Sequence, residues 1–366
     1  MTRRMTETAS QSSKLQLLIR RLVSRTNLLE EEMTQSIDLI LEGKASEAAV
    51  ASFLVALAMK GETADEIRFV IQCVKKHAIR ISPRVNGRLI DTCGTGGDSI
   101  RSFNISTAAA IVAAAAGAII AKHGNRSVSG ICGSADFLEY VGMDLDSPPN
   151  KVQACIEETG IGFLFSPKFH PAMQNVAAAR KTIGIRTIFN IVGPLSNPCT
   201  NLSGQVIGVF EPFLLEIVAE IMQRSPIEAM IVHAHDGFDE LSNTCGNDIV
   251  WIDGKGYSKR IRLDPKSMNL HVARPEQLVV SSKEDSVRNT LQVIYGAGGR
   301  EKEDAVVLNS SAALVIAKLA SNFKEGIDLS RAAIRSGKAK DKLLQMIKYC
   351  GVTEKLETAE KTLLHV

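Results

Sequence analysis

The run RLIDTCGTGGD, then ISTAAAIVAAAAG, then AIIAKHGN constrains the fold more than any other part of the chain. Arg88 to Thr92 predicts a short apolar strand. Gly94, Gly96 and Gly97 predict a loop. Ser106 to Ala116 has the composition of a buried helix, with Gly117 as its natural stop. Ala118 to Ala121 predicts the next strand. A strand, a helix and a strand in this succession predict a parallel sheet with helices on its faces.

The alternation continues. Leu202 to Phe210, Ala229 to Ala234 and Ile249 to Asp253 predict strands, and Pro212 to Arg224 and Ser310 to Phe323 predict helices. Residues 88–366 therefore read as one α/β domain with a mainly parallel central sheet. Residues 1–87 read differently: a small all-helical domain with no strand signal, whose first 13 residues are polar and loose. Asn27-Leu28-Leu29-Glu30 and Thr63-Ala64-Asp65-Glu66 fit capping boxes, in which a side chain and the backbone satisfy each other's free amides. Ser46 opens the helix through ASFLVALAMK. Gly43 and Gly61 are plausible stops.

Bulk composition narrows the classes. The chain has 366 residues, 45% apolar and 23% charged, with 43 basic and 40 acidic side chains and a net charge of +3. So small an excess argues against a dedicated nucleic-acid binder. The seven cysteines include no CxxC pair, which disfavours a zinc site or a disulfide framework and suits reduced thiols in a cytoplasmic protein. MTRRMTETASQSSK lacks the apolar core of a secretory signal. The most apolar run, Ile105 to Ala121, is mostly alanine and too short for a membrane span.

The glycine loop resembles a phosphate cradle. It fits neither the dinucleotide fingerprint GxGxxG nor the Walker pattern, because Asp98 stands where a lysine would. An aspartate beside a phosphate suits a divalent cation or a sugar hydroxyl. Asn104-Ile105-Ser106-Thr107 places short polar side chains at a helix start, where capping alone explains them. KHGNRSVSG, Lys122 to Gly130, sets cations, a histidine, an asparagine and serines on the loop after the next strand, where α/β sheets bind ligands. HAHDGFDELS brings Asp236, Asp239 and Glu240, oxygen ligands of the kind magnesium takes. His233 and His235 have no third zinc ligand in view, so a structural role fits them better.

GTGGD, NIST, KHGNRSVS, GSADFLEYVG, FLFSPKFHPAM, ARKTIGIRTIFNIVGPLSNP and DGFDELS occur in the order seen in the anthranilate phosphoribosyltransferase family, which the chain resembles from about Leu15 almost to its C-terminus. KHGNR and FNIVGPLSNP distinguish that family from the pyrimidine nucleoside phosphorylases, which share its fold. The resemblance implies transfer of the phosphoribosyl group of phosphoribosyl pyrophosphate to anthranilate, in tryptophan biosynthesis, by a magnesium-dependent homodimer joined through the helical domain.

The same resemblance implies the site residues. Gly94, Gly97, Asp98, Ser102, Asn104, Ile105, Ser106 and Thr107 would line the pyrophosphate. Lys122, His123, Gly124, Asn125, Arg126, Ser127, Val128, Ser129 and Gly130 would hold phosphates and ribose, with Ser134 nearby. Ser106, Asp239 and Glu240 would hold magnesium. Asn125 and Arg180 would contact anthranilate, with His123, His170 and Pro194 lining its path. His123 is a candidate for the reaction's proton or for a positioning hydrogen bond. Three departures from the family pattern stand out. Ile131 replaces a common lysine, Arg101 replaces a small residue, and NSSAAL, Asn309 to Leu314, replaces a more alanine-rich run.

Overall fold

The computed structural model describes residues 14–96, 100–127 and 130–364. The chain divides into two compact units. One takes the residues up to Arg80 together with Pro167–Pro198; the other takes Ile81–Ser166 and Cys199–Val366. The expected division at 87/88 is thus incomplete, since a segment from the middle of the chain packs with the N-terminal helices.

The helical unit contains helices at 14–23, Glu30–Leu41, Glu47–Lys60 and Ala64–Lys76, joined by Gln174–Ile183 and Phe189–Leu195. Met33, Ile37, Phe53, Leu54, Leu57, Ile67 and Val70 form its core and are almost fully buried. The later segment docks by specific polar contacts. Asn175 Nδ2 donates to Leu41 O at 2.7 Å, and Thr182 Oγ1 donates to Glu47 Oε1 at 3.0 Å. The Thr63–Glu66 capping box forms as expected, with Thr63 N donating to Glu66 Oε2 at 2.9 Å. The first expected box does not form. The helix starts at Glu30 with Leu29 as its cap, Leu29 N donates to Glu32 Oε2, and Asn27 instead accepts from Lys60 Nζ.

The second unit is built on a seven-stranded sheet: β1 (Leu89–Gly94), β2 (Ile119–Gly124), β3 (Ile161–Phe165), β4 (Gly204–Gly208), β5 (Glu228–Ala234), β6 (Asn247–Ile252) and β7 (Ser258–Leu263). Its order is β3-β2-β1-β4-β5-β6-β7. The pairs from β3 to β5 are parallel, while β5–β6 and β6–β7 are antiparallel. Neither β3 nor β7 is signalled in the sequence. β3 is five apolar residues behind the helix stop Gly160. β7, SKRIRL, is an exposed, charged edge strand, which protects the sheet edge but erases the hydrophobic alternation.

The helix Ile105–Ala115 is buried on nearly every side. It packs against the helices Arg300–Ile316 and Lys338–Cys350. Its alanines permit that close approach, because only a methyl separates the backbones. The helix expected at Ser310 begins at Arg300, since its first turns carry charge while its later turns are apolar.

Candidate functional site

Three parallel strands, β1, β2 and β4, end in glycine, and the candidate residues gather beyond those ends. A Cβ on Gly94 would stand 2.2 Å from Asp239 Oδ2, and one on Gly208 would stand 1.5 Å from Asp239 O. Glycine at both positions therefore gives the acidic turn its room over the sheet. Gly124, at the end of β2, makes the same kind of room for Ser134 Oγ at 2.3 Å. The Asp239 carboxylate is held in turn: Gly96 N donates to Oδ2 at 2.7 Å, from a backbone with φ of 64°.

Beneath this lies a buried polar layer. Lys122, 4% exposed, donates from Nζ to Thr92 O at 2.7 Å and lies 3.5 Å from Ser106 Oγ. Burial lowers its pKa, while Asp91, Cys93, Glu240 and Asp239 hold it up. Asp91 accepts from His123 N and from Gln205 Nε2, both at 3.1 Å, so it fixes the start of the KHGN loop. Thr92, Cys93, Ser106, Asp239, Glu240 and Asn309 border one small cleft. Burial pushes the Cys93 thiol up, which makes it a poor nucleophile. Among the described residues, Thr92 Oγ1, Thr95 Oγ1 and Asn104 Oδ1 are buried without a hydrogen-bond partner, as suits a site built for a polar ligand.

Capping does not explain the asparagine of NIST. Asn104 Nδ2 donates to Cys132 O at 3.2 Å and Gly133 O at 3.5 Å, tying the helix start to the next loop. Ile105 takes no visible part in the site: its side chain is in the core and its amide donates to Phe103 O. Thr107 is 2% exposed. Ser102 forms an isolated bridge with Val279. Gly97, Asp98, Val128 and Ser129 lie outside the described residues.

The KHGNRS loop is shaped by Asp136. Its Oδ2 accepts from Ser127 N at 3.1 Å and Gly133 N at 2.9 Å. Asn125 O accepts from Ser134 Oγ at 3.2 Å, and Asn125 Oδ1 accepts from Arg126 N at 2.8 Å. The Arg126 guanidinium, expected to face phosphate, forms a bidentate pair with Glu139 at 2.7 Å and meets Asp136 at 3.1 Å. A Cβ on Gly130 would lie 3.0 Å from Ser127 Oγ. Ile131 packs against the core.

Asp236 is engaged in holding its own turn. It accepts from Ser242 Oγ at 2.8 Å, from Thr244 Oγ1 and from Phe238 N. His233 Nδ1 lies 2.9 Å from Val209 O, and His235 Nε2 lies 2.9 Å from Asp248 Oδ2, in keeping with structural roles. Among the described residues no group of three or more His, Cys, Asp or Glu gathers as a metal cage. Asp239, Glu240 and the Ser106 hydroxyl nevertheless fit magnesium, which binds through one or two carboxylates and completes its shell with substrate oxygens and water. A separate cavity of about 490 Å³ lies by His235, Arg262 and Lys266 and includes none of the candidate residues.

His170, Arg180 and Pro194 belong to the helical unit. The half-buried Arg180 has no carboxylate partner among the described residues. It lies 3.5 Å from Asn190 Oδ1 and over the Phe189 ring at 5.9 Å, and burial lowers its pKa. His170 is 3% exposed, and burial brings its pKa down to about 4. Pro194 sits inside the helix Phe189–Leu195. Sequence reasoning missed Gly208, Asp91, Asp136 and Asn309. The one available signal was that strands β1, β2 and β4 all end in glycine.

The chain is similar to known proteins along most of its length. A model of the glycosyl transferase family's helical bundle domain matches residues 16–78, and one of that family's a/b domain matches residues 86–340. An anthranilate phosphoribosyltransferase of Acetivibrio thermocellus is 44% identical over 336 residues, 92% of this chain and 96% of the relative. The crystal structure of anthranilate phosphoribosyltransferase from Thermus thermophilus has a TM-score of 0.84 and 36% identity, covering 91% of this chain and 98% of that one. The Saccharomyces cerevisiae enzyme in complex with PRPP and Mg has a TM-score of 0.84 and 25% identity, covering 92% and 98%. The yeast enzyme in complex with 4-fluoroanthranilate aligns with a TM-score of 0.83 and 26% identity, covering 93% and 98%.

Proposed function

The chain belongs to the anthranilate phosphoribosyltransferase family, and from that premise we propose how its own residues carry the reaction. It is a pentosyltransferase of tryptophan biosynthesis. It moves the phosphoribosyl group of phosphoribosyl pyrophosphate to the amine of anthranilate and releases pyrophosphate. The observation that carries the assignment of roles is the convergence of Ser106, Asp239 and Glu240 at the ends of strands β1 and β4, with Lys122 of β2 beside Ser106.

Breaking the C1–O bond leaves positive charge on the ribose and negative charge on pyrophosphate. We assign the pyrophosphate to Gly94, Asn104, Ser106 and Thr107, and to Gly97 and Asp98 of GTGGD; backbone amides and hydroxyls near a helix start are of the kind that bind a phosphate. Lys122 adds a fixed positive charge beneath them. Magnesium, held by Ser106, Asp239 and Glu240, supplies neutralisation of the leaving group's charge when bound. The yeast relative's complex with PRPP and Mg supports the use of magnesium.

Anthranilate brings a neutral aromatic amine and a carboxylate. We assign the carboxylate to Arg180, whose guanidinium lacks a carboxylate partner among the described residues and suits a planar anion. Asn125, His170 and Pro194 complete the aromatic substrate's contacts. Placing the amine at C1 lowers the barrier by roughly 7–11 kcal/mol in favourable cases. We assign His123 either to the amine's proton or to a positioning hydrogen bond.

We also propose a homodimer joined through the helical unit, where Leu17, Val23, Leu29 and Met59 are 61–70% exposed. Light scattering at two concentrations tests it. A cytoplasmic location is in keeping with seven cysteines that form no disulfide. No helix among the described residues is long and apolar enough to cross a membrane. The activity is tested by the fluorescence of anthranilate mixed with the protein, magnesium and phosphoribosyl pyrophosphate. Decay that requires all components supports the assignment; a steady signal with folded protein rejects it.

A further inference from the structure

We propose that Asn309 is a positioning residue for the acidic pair Asp239–Glu240, a role that rests on the transferase reading above. Asn309 lies in the helix Arg300–Ile316 and borders the same cleft as Ser106, Asp239 and Glu240. Its side-chain amide makes with Leu241 the two bonds that a neighbouring strand would make. Leu241 N donates to Asn309 Oδ1 at 2.9 Å, and Asn309 Nδ2 donates to Leu241 O at 2.7 Å. The second Nδ2 hydrogen goes to Ala305 O at 2.9 Å, which fixes the amide's orientation from its own helix.

The geometry makes this more than the satisfaction of one buried polar group. Asp239 is fixed from one side, by the Gly96 amide on its carboxylate and by its backbone lying against Gly208. Leu241 is fixed from the other side by Asn309, with its own side chain 1% exposed in the core. The backbone of Glu240 is held between these two anchors. Removing Asn309 frees the downstream anchor while leaving both carboxylates chemically intact. A group that orients metal ligands from behind controls affinity for the metal more than affinity for a second substrate.

The experiment compares Asn309→Ala and Asn309→Gln with Ser310→Ala. The last removes, from the next residue of that helix, a hydroxyl that accepts at 2.8 Å from Ser330 Oγ on the helix Phe323–Arg335. Hydrogen exchange of the Leu241 amide reads the clamp directly, with no substrate or metal present. We expect it to quicken by about tenfold or more in the Asn309 variants and to stay unchanged in Ser310→Ala. In turnover assays the magnesium concentration for half-maximal rate rises roughly 10–100-fold in the Asn309 variants. The anthranilate KM stays within about twofold.

Unchanged exchange at Leu241 overturns the clamp. Faster exchange with an unchanged magnesium requirement overturns the positioning role. Wild-type turnover that ignores magnesium overturns the metal reading and the positioning role with it, and the exchange result then separates that failure from failure of the clamp. Should Asn309→Ala not fold, Asn309→Gln, which keeps an amide but misplaces it, is judged by the same readouts.

Discussion

The carbonyl oxygen of Asp239 occupies the space that a side chain on Gly208 would need: a Cβ there would lie 1.5 Å away. Backbone meets backbone at this point, so no rotamer change relieves the clash. Gly208→Ala is expected to displace the acidic turn and lower kcat by about 10²–10³-fold, the scale of losing a preorganised electrostatic contact. Circular dichroism checks that the sheet survives. Full activity in a folded Gly208→Ala would show that the turn does not need its observed seat.

Asp239→Asn and Glu240→Gln test the carboxylates themselves. Each keeps its size and loses its charge. Both are expected to stay folded and to lose roughly 10²–10³-fold in magnesium-dependent turnover. Steady-state rates across a magnesium titration measure this. Wild-type behaviour in both variants would rule out the metal assignment.

Arg180 is half-buried with no carboxylate among the described residues to balance it, an arrangement that costs stability unless a ligand supplies the anion. Arg180→Ala should raise the anthranilate KM by roughly 10–100-fold, as expected for losing hydrogen bonds to a charged group. The KM for phosphoribosyl pyrophosphate should change far less. Equal effects on the two substrates would count against the role. Arg180→Met should melt no lower than the wild type, since it removes an uncompensated charge.

His170 gives the fold a pH dependence of known sign. Burial depresses its pKa from the ordinary 6.5 to about 4. The unfolded chain therefore takes up a proton that the folded chain refuses. The stability from keeping the ring neutral is fully present above about pH 6.5 and is lost as pH falls towards 4, by about 3 kcal/mol. Urea unfolding of the wild type and His170→Gln at several pH values measures the difference. Parallel curves for the two proteins over that window would contradict it.

Much of the fold was legible because its signals are local. The βαβ unit announced itself through a strand, a glycine loop and a helix too apolar to be anything but buried. The Thr63–Glu66 capping box needed only four residues. β7 was illegible because an exposed edge strand carries charges where a buried one would alternate. The helical segment 167–198 was illegible as part of the N-terminal unit because docking through Asn175 and Thr182 leaves no mark on either partner's periodicity.

The site divides in the same way. Contiguous residues were enough to point to the family and its reaction, since GTGGD, KHGNR and DGFDE write their chemistry in side-chain types. Which of those side chains are spent on structure emerged only in the folded chain. Arg126 is paired with Glu139, Asp236 ties its own turn, and Ile105 belongs to the core. Folding also gave roles to residues to which the motifs had assigned none: Gly208 under Asp239, Asp136 behind the KHGN loop and Asn309 against Leu241. The physical reason is that hydrogen bonds and steric seats join atoms distant along the chain, and these form only once the parallel strands have brought their C-terminal ends to one place.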